Sequence, residues 1–309
     1  MPQTRVLITG GAGFIGTAMR SEFAGHGYDV YVLDNFSVGK REHLRLPEDR
    51  IAEGDIRDRA FVDAALAAIR PHHILHLAAI HFIPYCNERP FEASDINIRG
   101  TMQVLDAARS AEGLKSIIFA STAAVYPIYD GALSETHTPG PVDIYGLSKL
   151  TGERLCHEFH LSSGVPTLVC RFFNAFGPYE TNPHLIPAIH QQLVQQGPKV
   201  KLGNLDTLRD FIHVSDMARA VRMLFEKFDA GFDIFNLGSG IEYSGREVVD
   251  AFARSMGQQI EIEQDPLRMR PSDRKHLRAD IAKLSGYIDW KPEVSFQEGI
   301  DHLYQTGIL

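Results

Sequence analysis

Two side chains in this sequence form a pair that can accept a proton. In Tyr145-Gly146-Leu147-Ser148-Lys149 the phenol and the ammonium stand four residues apart, so on a helix they share one face. A phenol with its ordinary pKa of about 10 is a poor base at neutral pH, and a neighbouring cation favours the phenolate. Upstream, Ser116-Ile117-Ile118-Phe119-Ala120-Ser121 reads as a strand that runs into Thr122-Ala123-Ala124-Val125-Tyr126. The hydroxyls of Ser121 and Thr122 then fall at a strand's carboxyl end, the edge at which open α/β sheets bind ligands.

A second chemistry lies near the N-terminus, in Thr9-Gly10-Gly11-Ala12-Gly13-Phe14-Ile15-Gly16. Gly10 permits a tight strand-to-helix turn, Gly13 lets backbone amides approach a pyrophosphate at the positive helix end, and Gly16 lets the helix lie close to the sheet. The next strand, Val30-Tyr31-Val32-Leu33, ends in Asp34, about 20 residues past the glycines, where a carboxylate can accept hydrogen bonds from an adenosine ribose. Asp34 would repel a 2'-phosphate, so NAD is expected ahead of NADP. Lys40 and Arg41 follow closely and could serve a phosphate in another arrangement.

The elements that must position these groups alternate. Residues 5–9, 29–33, 51–53, 74–77, 116–121 and 167–172 read as apolar strands, and 14–24, 59–69, 98–111 and 146–162 as helices between them. This is the pattern of an α/β, doubly wound parallel (Rossmann) sheet covered on both faces. After Phe173 the pattern loosens into Gly, Pro and Asn-rich stretches, then resumes with helices at 185–196, 214–227 and 245–256. A strand at 233–237 is expected to rejoin the first sheet. The resulting division is 1–173 plus about 211–240 for a dinucleotide-binding domain, and about 174–210 plus 241–309 for a smaller, interleaved substrate lobe.

Composition narrows the partners. The chain has 309 residues, 44% hydrophobic and 23% charged, which excludes disordered, collagen-like and coiled-coil readings. With 31 Lys and Arg against 39 Asp and Glu, the net charge of -8 offers no global field for a polyanion, and nucleic acid is not an expected partner. No apolar run approaches the ~20 residues of a membrane span, and the glycine segment comes too early for a signal peptide, so a cytoplasmic location is expected. Cys86, Cys156 and Cys170 lack C-x-x-C spacing and read as reduced thiols, with no metal site expected.

Taken in order, these motifs resemble the extended short-chain dehydrogenase/reductase family, and within it the NAD-dependent nucleotide-sugar epimerases and dehydratases, nearest in pattern to the 4-epimerases. The resemblance covers nearly the whole chain. It implies cofactor contacts at Gly10, Gly13, Phe14, Ile15, Gly16, Asp34 and Asn35, and at Asp55 and Ile56 of Gly54-Asp55-Ile56-Arg57-Asp58, which flank the adenine. It adds Leu77, Ala78 and Ala79 beside the cofactor, Asn97 supporting the active-site strand, the pair Tyr145 and Lys149, and Phe173. The implied catalytic set is Thr122, Tyr145 and Lys149. For the substrate, a nucleoside-diphosphate sugar with UDP favoured, the resemblance implies Ser121, Thr122, Asn174, His184 and Leu185. Arg209 and Arg270 fall at the diphosphate and Asp273 at the nucleoside ribose. A planar guanidinium suits phosphate oxygens in a way an ammonium does not.

Departures from the family patterns select the reaction. The 4,6-dehydratases follow their threonine with Asp-Glu, whereas Thr122 is followed by Ala123-Ala124, which cannot move a proton. The GDP-fucose-forming reductases carry a cysteine where Ala123 stands. What remains is removal and return of a hydride, the requirement for a 4-epimerase, with another sugar-nucleotide transformation (reduction, dehydration or 3,5-epimerisation) or a non-catalytic NAD sensor as alternatives. His81 stands near a family lysine and His184 in place of an asparagine. His81, Tyr85 and Cys86 are candidates to touch the hexose or supply a further acid or base. A homodimer through helices 98–111 and 146–162 is the family expectation.

Overall fold

The computed structural model describes residues 3–180, 182–265 and 274–307. Its largest sheet is assembled from the apolar runs β1 (Arg5–Thr9), β2 (Asp29–Asp34), β3 (Ile51–Glu53), β4 (His73–His76) and β5 (Ser116–Thr122). It is completed by β7 (Thr167–Phe172) and β11 (Phe232–Leu237). The order is β11-β7-β5-β4-β1-β2-β3, and every neighbouring pair is parallel. Strands with both faces covered must be apolar throughout, as all seven residues of β5 are buried. One face packs against α1 (Phe14–Gly25), α8 (Val214–Lys227) and α10 (Ala282–Ile288) through Met19, Phe23, Met217, Leu224 and Leu284. The other meets α2 (Arg59–Ile69), α5 (Thr101–Ala108) and α6 (Ile144–Ser163) through Val62, Leu66, Val104, Leu105, Cys156 and Phe159. This is the expected doubly wound α/β sheet.

Several bounds shift by a residue or two from the sequence reading, and two differences bear on the site. The fourth strand starts one residue earlier, at His73, because His73 pairs with Ser116 across the sheet. The helix expected over 98–111 follows the short helices α3 (Ile83–Glu88) and α4 (Pro90–Ser94), and opens with a π-helical turn at Asp95–Gly100 before α5 begins. Asn97 sits in that turn with its side chain engaged elsewhere, as described below.

A second core lies around Ile189, Leu193, Phe211, Val248, Phe252, Phe296 and Ile300. It is enclosed by α7 (Leu185–Gln196), α9 (Gly245–Met256) and α11 (Phe296–Thr306), with β8 (Asn174–Phe176), β10 (Leu208–His213) and β12 (Glu242–Ser244) in one small sheet. Two strand pairs complete the structure: β9 (Lys199–Leu202) with β13 (Glu261–Gln264), and β6 (Ala132–Leu133) with β14 (Arg278–Ala279). Asp210, fully buried in β10, accepts hydrogen bonds from Ser239, Gly240 and Ala279 and so fastens three distant segments. The two cores share chain across the expected lobe boundaries: Phe211, from the stretch expected in the first lobe, packs in the second core. Leu284, Ile288 and Trp290 pack into the large sheet's core, so 282–290 does not belong with the second core. Among the described residues no helix is long and apolar enough to cross a membrane.

Candidate active site

The carboxyl ends of β1, β4 and β5 open into a cleft of about 780 Å³. β1 has β2 on one side and β4 on the other, the point where chain order reverses and where such sheets leave a crevice. Gly10 holds a φ of +71°, and a Cβ there would stand 2.7 Å from the Ala78 nitrogen. A Cβ on Gly16 would stand 2.4 Å from the Gly10 oxygen, so both glycines are demanded by the protein's own packing. Gly13 is different, because its nearest contact would be an ordinary 3.4 Å. Its missing side chain keeps clear the cleft it lines. As N-cap of α1 it brings no capping side chain, and no acidic residue stands in the first turn. Free amides and the positive helix end are thus available to an anion.

Asp34 shapes the neighbouring wall. Its carboxylate accepts from the Ala12 nitrogen at 2.9 Å and the Phe36 nitrogen at 2.8 Å, which fixes its orientation and leaves further acceptor positions. Burial raises its pKa, opposed by these backbone donors. Asn35 donates to Asp55, whose carboxyl is held down at about 2 by hydrogen bonds from Arg57. Phe14, Ile15, Asn35, Asp55, Ile56, Leu77, Ala78 and Ala79 all line this part of the cleft. The residues present therefore fit a dinucleotide: an amide cradle, a fixed carboxylate and an apolar slot.

Asn97 does not line the cleft. Buried behind it, Asn97 accepts from the Ile80 nitrogen at 2.8 Å and donates to the Ile80 oxygen at 2.9 Å and to Ser148 Oγ at 3.0 Å. Its ties run to the segment after β4 and to α6, not to the active-site strand. It positions the wall from behind, through Ile80, which does line the cleft.

Thr122, Tyr145 and Lys149 converge on the cleft. Their approach depends on Gly146, where a Cβ would fall 2.4 Å from the Ala124 oxygen, so α6 can press against the turn after Thr122 only without a side chain. Asp143 caps that helix by accepting from the Gly146 nitrogen at 2.7 Å. Lys149 is buried with its Nζ 4.4 Å from the Phe119 ring centre, and burial draws its pKa down to about 8. Burial pushes the Tyr145 phenol above its ordinary value, and the hydrogen bond with Thr122 opposes this. The sequence reading gives that role to Lys149 together with a cationic nicotinamide ring; the protein group that opposes burial here is Thr122.

At the other end the outcome is mixed. Phe173, Asn174, His184, Leu185, Arg209 and His81 line the cleft. Ser121 also lines it, but its hydroxyl donates at 2.5 Å to Glu153, which in turn holds the buried Arg171, so Ser121 is engaged in the interior. Tyr85 turns away to donate to Glu92 at 2.9 Å. The Cys86 thiol is buried against the Ile80 oxygen and pushed up to about 11, which makes it unreactive. Neither of the two lines the cleft. Arg270 and Asp273 lie outside the described residues.

Sequence reasoning missed Arg274, which follows Asp273 directly and lines the cleft with Arg209. Its guanidinium donates to the Ala124 oxygen at 3.2 Å and the Pro127 oxygen at 3.4 Å. Burial and the nearby Arg209 lower its pKa, against Asp143. Two guanidinium groups close enough to repel make a ready anion site. It also missed Glu180, which the fold brings beside His81 and His184, with one ligand atom from each within 4.8 Å of the others. Burial, then the Lys149 charge, lower the His81 pKa to about 4.

Comparison with known proteins agrees with this geometry. Residues 6–238 match the family described as the NAD dependent epimerase/dehydratase family. The chain is 33% identical to a UDP-glucose 4-epimerase of Corynebacterium glutamicum, over 94% of this chain and 91% of that one. It is 28% identical to a GDP-6-deoxy-D-mannose reductase of Pseudomonas aeruginosa, over 96% and 94%. The UDP-glucose 4-epimerase of Thermus thermophilus, solved in complex with NAD, superposes with a TM-score of 0.88 at 31% identity, covering 96% of this chain and 97% of that one.

Proposed function

The chain belongs to the NAD dependent epimerase/dehydratase family, and from that premise we propose that it is a nucleotide-sugar 4-epimerase acting on a UDP-sugar. The observation that carries the reading is the convergence of Thr122, Tyr145 and Lys149 beside a turn whose Ala123 and Ala124 hold no acid or base. NAD, when bound, supplies the group that takes a hydride from a sugar carbinol and returns it. The amides at Gly13 and the end of α1 would hold its pyrophosphate, Asp34 its adenosine ribose and Lys149 its other ribose.

In this reading Tyr145 accepts the proton of the sugar 4-hydroxyl, directly or through Thr122, and gives it back to the inverted alcohol. Ionising a phenol that burial holds protonated needs positive charge nearby, which Lys149 and the oxidised nicotinamide ring provide. Arg209 and Arg274 hold the diphosphate while the 4-keto sugar turns its other face. Residues 1–173 with about 211–240 then serve the cofactor, and 174–210 with most of 241–309 the sugar nucleotide. A homodimer through α5 and α6 is part of the proposal, supported by the half-exposed Met102 and Leu147 on those helices.

The test uses a UDP-hexose deuterated at C4, with NMR of the products. Inversion at C4 with the label kept, no solvent deuterium at C3 or C5 and no net reduced cofactor is expected. A 4-keto-6-deoxy product, or solvent exchange at C3 or C5, overturns the assignment.

A further inference from the structure

His81 follows β4, while Glu180 and His184, the N-cap of α7, stand in the connection between β8 and α7, so two separate segments deliver two imidazoles and a carboxylate to one place on the cleft wall. One ligand atom from each lies within 4.8 Å of the others. The imidazole rings of His81 and His184 stand with centres 5.5 Å apart, and Glu180 is 6% exposed. Asn182 joins the group: its backbone nitrogen donates to Glu180 Oε1 at 2.9 Å and its side-chain nitrogen lies 3.3 Å from His81 Nε2. An amide nitrogen can only donate, so in this contact Nε2 is the lone-pair nitrogen, and a metal would take that acceptor position in place of the amide.

We propose that His81, Glu180 and His184 form a binding site for a divalent transition-metal ion, zinc being the ion the donor set suits best. The chemistry of the donors decides the class of ion. Two imidazoles with one carboxylate favour zinc and its neighbours, whereas magnesium and calcium want oxygen ligands and tolerate few nitrogens. Ligand atoms about 2.0 to 2.2 Å from a tetrahedral zinc stand about 3.4 Å from one another. Closing from the present separations takes an ångström or so of side-chain rotation. Three protein ligands leave a position open, and since all three residues line the cleft, that position faces its interior. The ion would there bind an oxygen of the sugar, a hydroxyl or a carboxylate. The site departs from the sequence reading, which expected no metal, because His81 is separated from Glu180 and His184 by about a hundred residues of chain.

The proposal does not rest on the 4-epimerase reading, and its test measures binding alone. The untagged, NAD-loaded protein is stripped with a chelator and titrated with cobalt(II), followed by its visible d–d absorption, and then with zinc in competition. One equivalent per chain is expected, displaced by zinc and not by millimolar magnesium. Glu180→Gln and His184→Asn should each weaken cobalt affinity at least about tenfold, since even changes behind the ligands cost that much. Both should keep their NAD. His26→Asn, at an exposed residue absent from the cleft lining, should bind as wild type does. A second readout uses wild type only: proton NMR of the cobalt form should show two exchangeable, strongly shifted imidazole N–H signals. No uptake by wild type at tens of micromolar cobalt, affinity unchanged in both variants, fewer than two such signals, or a thiolate-to-cobalt charge-transfer band placing the ion on Cys86 would each overturn the site.

Discussion

Burial keeps the Tyr145 phenol protonated, and the Thr122 hydroxyl is the protein group that leans the other way. In the proposed mechanism the pair divides its labour: the tyrosine would move the proton and the threonine prepare the tyrosine. Tyr145→Phe deletes one oxygen from a well-packed helix and should leave fold and NAD retention intact while lowering kcat by about 10² to 10⁴, the usual worth of base catalysis. Thr122→Ala should cost less. Steady-state kinetics decide the matter, and a Tyr145→Phe enzyme within a few-fold of wild type removes the residue from the mechanism. The proposed role of the arginines differs, because a diphosphate contact would be made equally before and during the reaction. Arg209→Ala should raise KM for the sugar nucleotide several-fold or more with kcat little changed, and Arg209→Lys should restore only part, since an ammonium lacks the planar fork. Isothermal titration separates the ligands: loss of NAD binding with sugar-nucleotide binding unaffected would place Arg209 at the wrong one.

The geometry of those residues is set by how α6 meets the segment after β4, and Asn97 is the fastening between them. Its amide satisfies both backbone groups of Ile80 and reaches Ser148, one residue short of Lys149. Asn97→Ala should lower unfolding stability by about 1 to 3 kcal/mol, the cost of stranding buried polar groups, and should weaken NAD retention although Asn97 is absent from the cleft lining. Urea unfolding with and without NAD measures both, and a variant equal to wild type in each would show that other contacts fix the wall. Elements of this kind divide into those legible in sequence and those not. β1, β5 and β7 are readable because burial on both faces makes them continuous apolar runs, and the glycine turn because its spacing has a mechanical cause. β10 is not readable: its Asp210 breaks the apolar pattern, and the donors that justify burying it come from Ser239, Gly240 and Ala279. The engagement of the Ser121 hydroxyl by Glu153, and of Tyr85 by Glu92, is hidden from the sequence for the same reason, because those partners are revealed only by the packing of helices.

At the scale of the whole molecule the central sheet carries its own sensitivity to acid. β4 begins and ends with histidines: His73 packs against Ser116 and Phe225, and His76 is 1% exposed between Thr9 and Thr101. Burial lowers the His73 pKa to about 4 and the His76 pKa to about 3, from an ordinary 6.5. A base whose folded pKa is depressed binds fewer protons folded than unfolded, so its contribution is intact above pH 6.5 and is lost as pH falls through the window down to about 3. Near pH 5 the unfolded chain holds close to two protons on this pair that the folded chain refuses. Integrated from pH 7 to 5 this amounts to about 4 kcal/mol, set against the raised carboxyls Asp34 and Asp210, which act in the opposite sense at the acid end. Both histidines hold strands that carry the cleft, so cofactor release should track the loss. Urea midpoints at pH 7 and pH 5 should therefore fall steeply in wild type, and the pH dependence should shrink by about one proton in His76→Asn, whose amide can still bond to Thr9 or Thr101. A wild-type midpoint that does not move between pH 7 and 5, or a His76→Asn slope equal to wild type, would mean that other groups govern acid stability and that β4 does not.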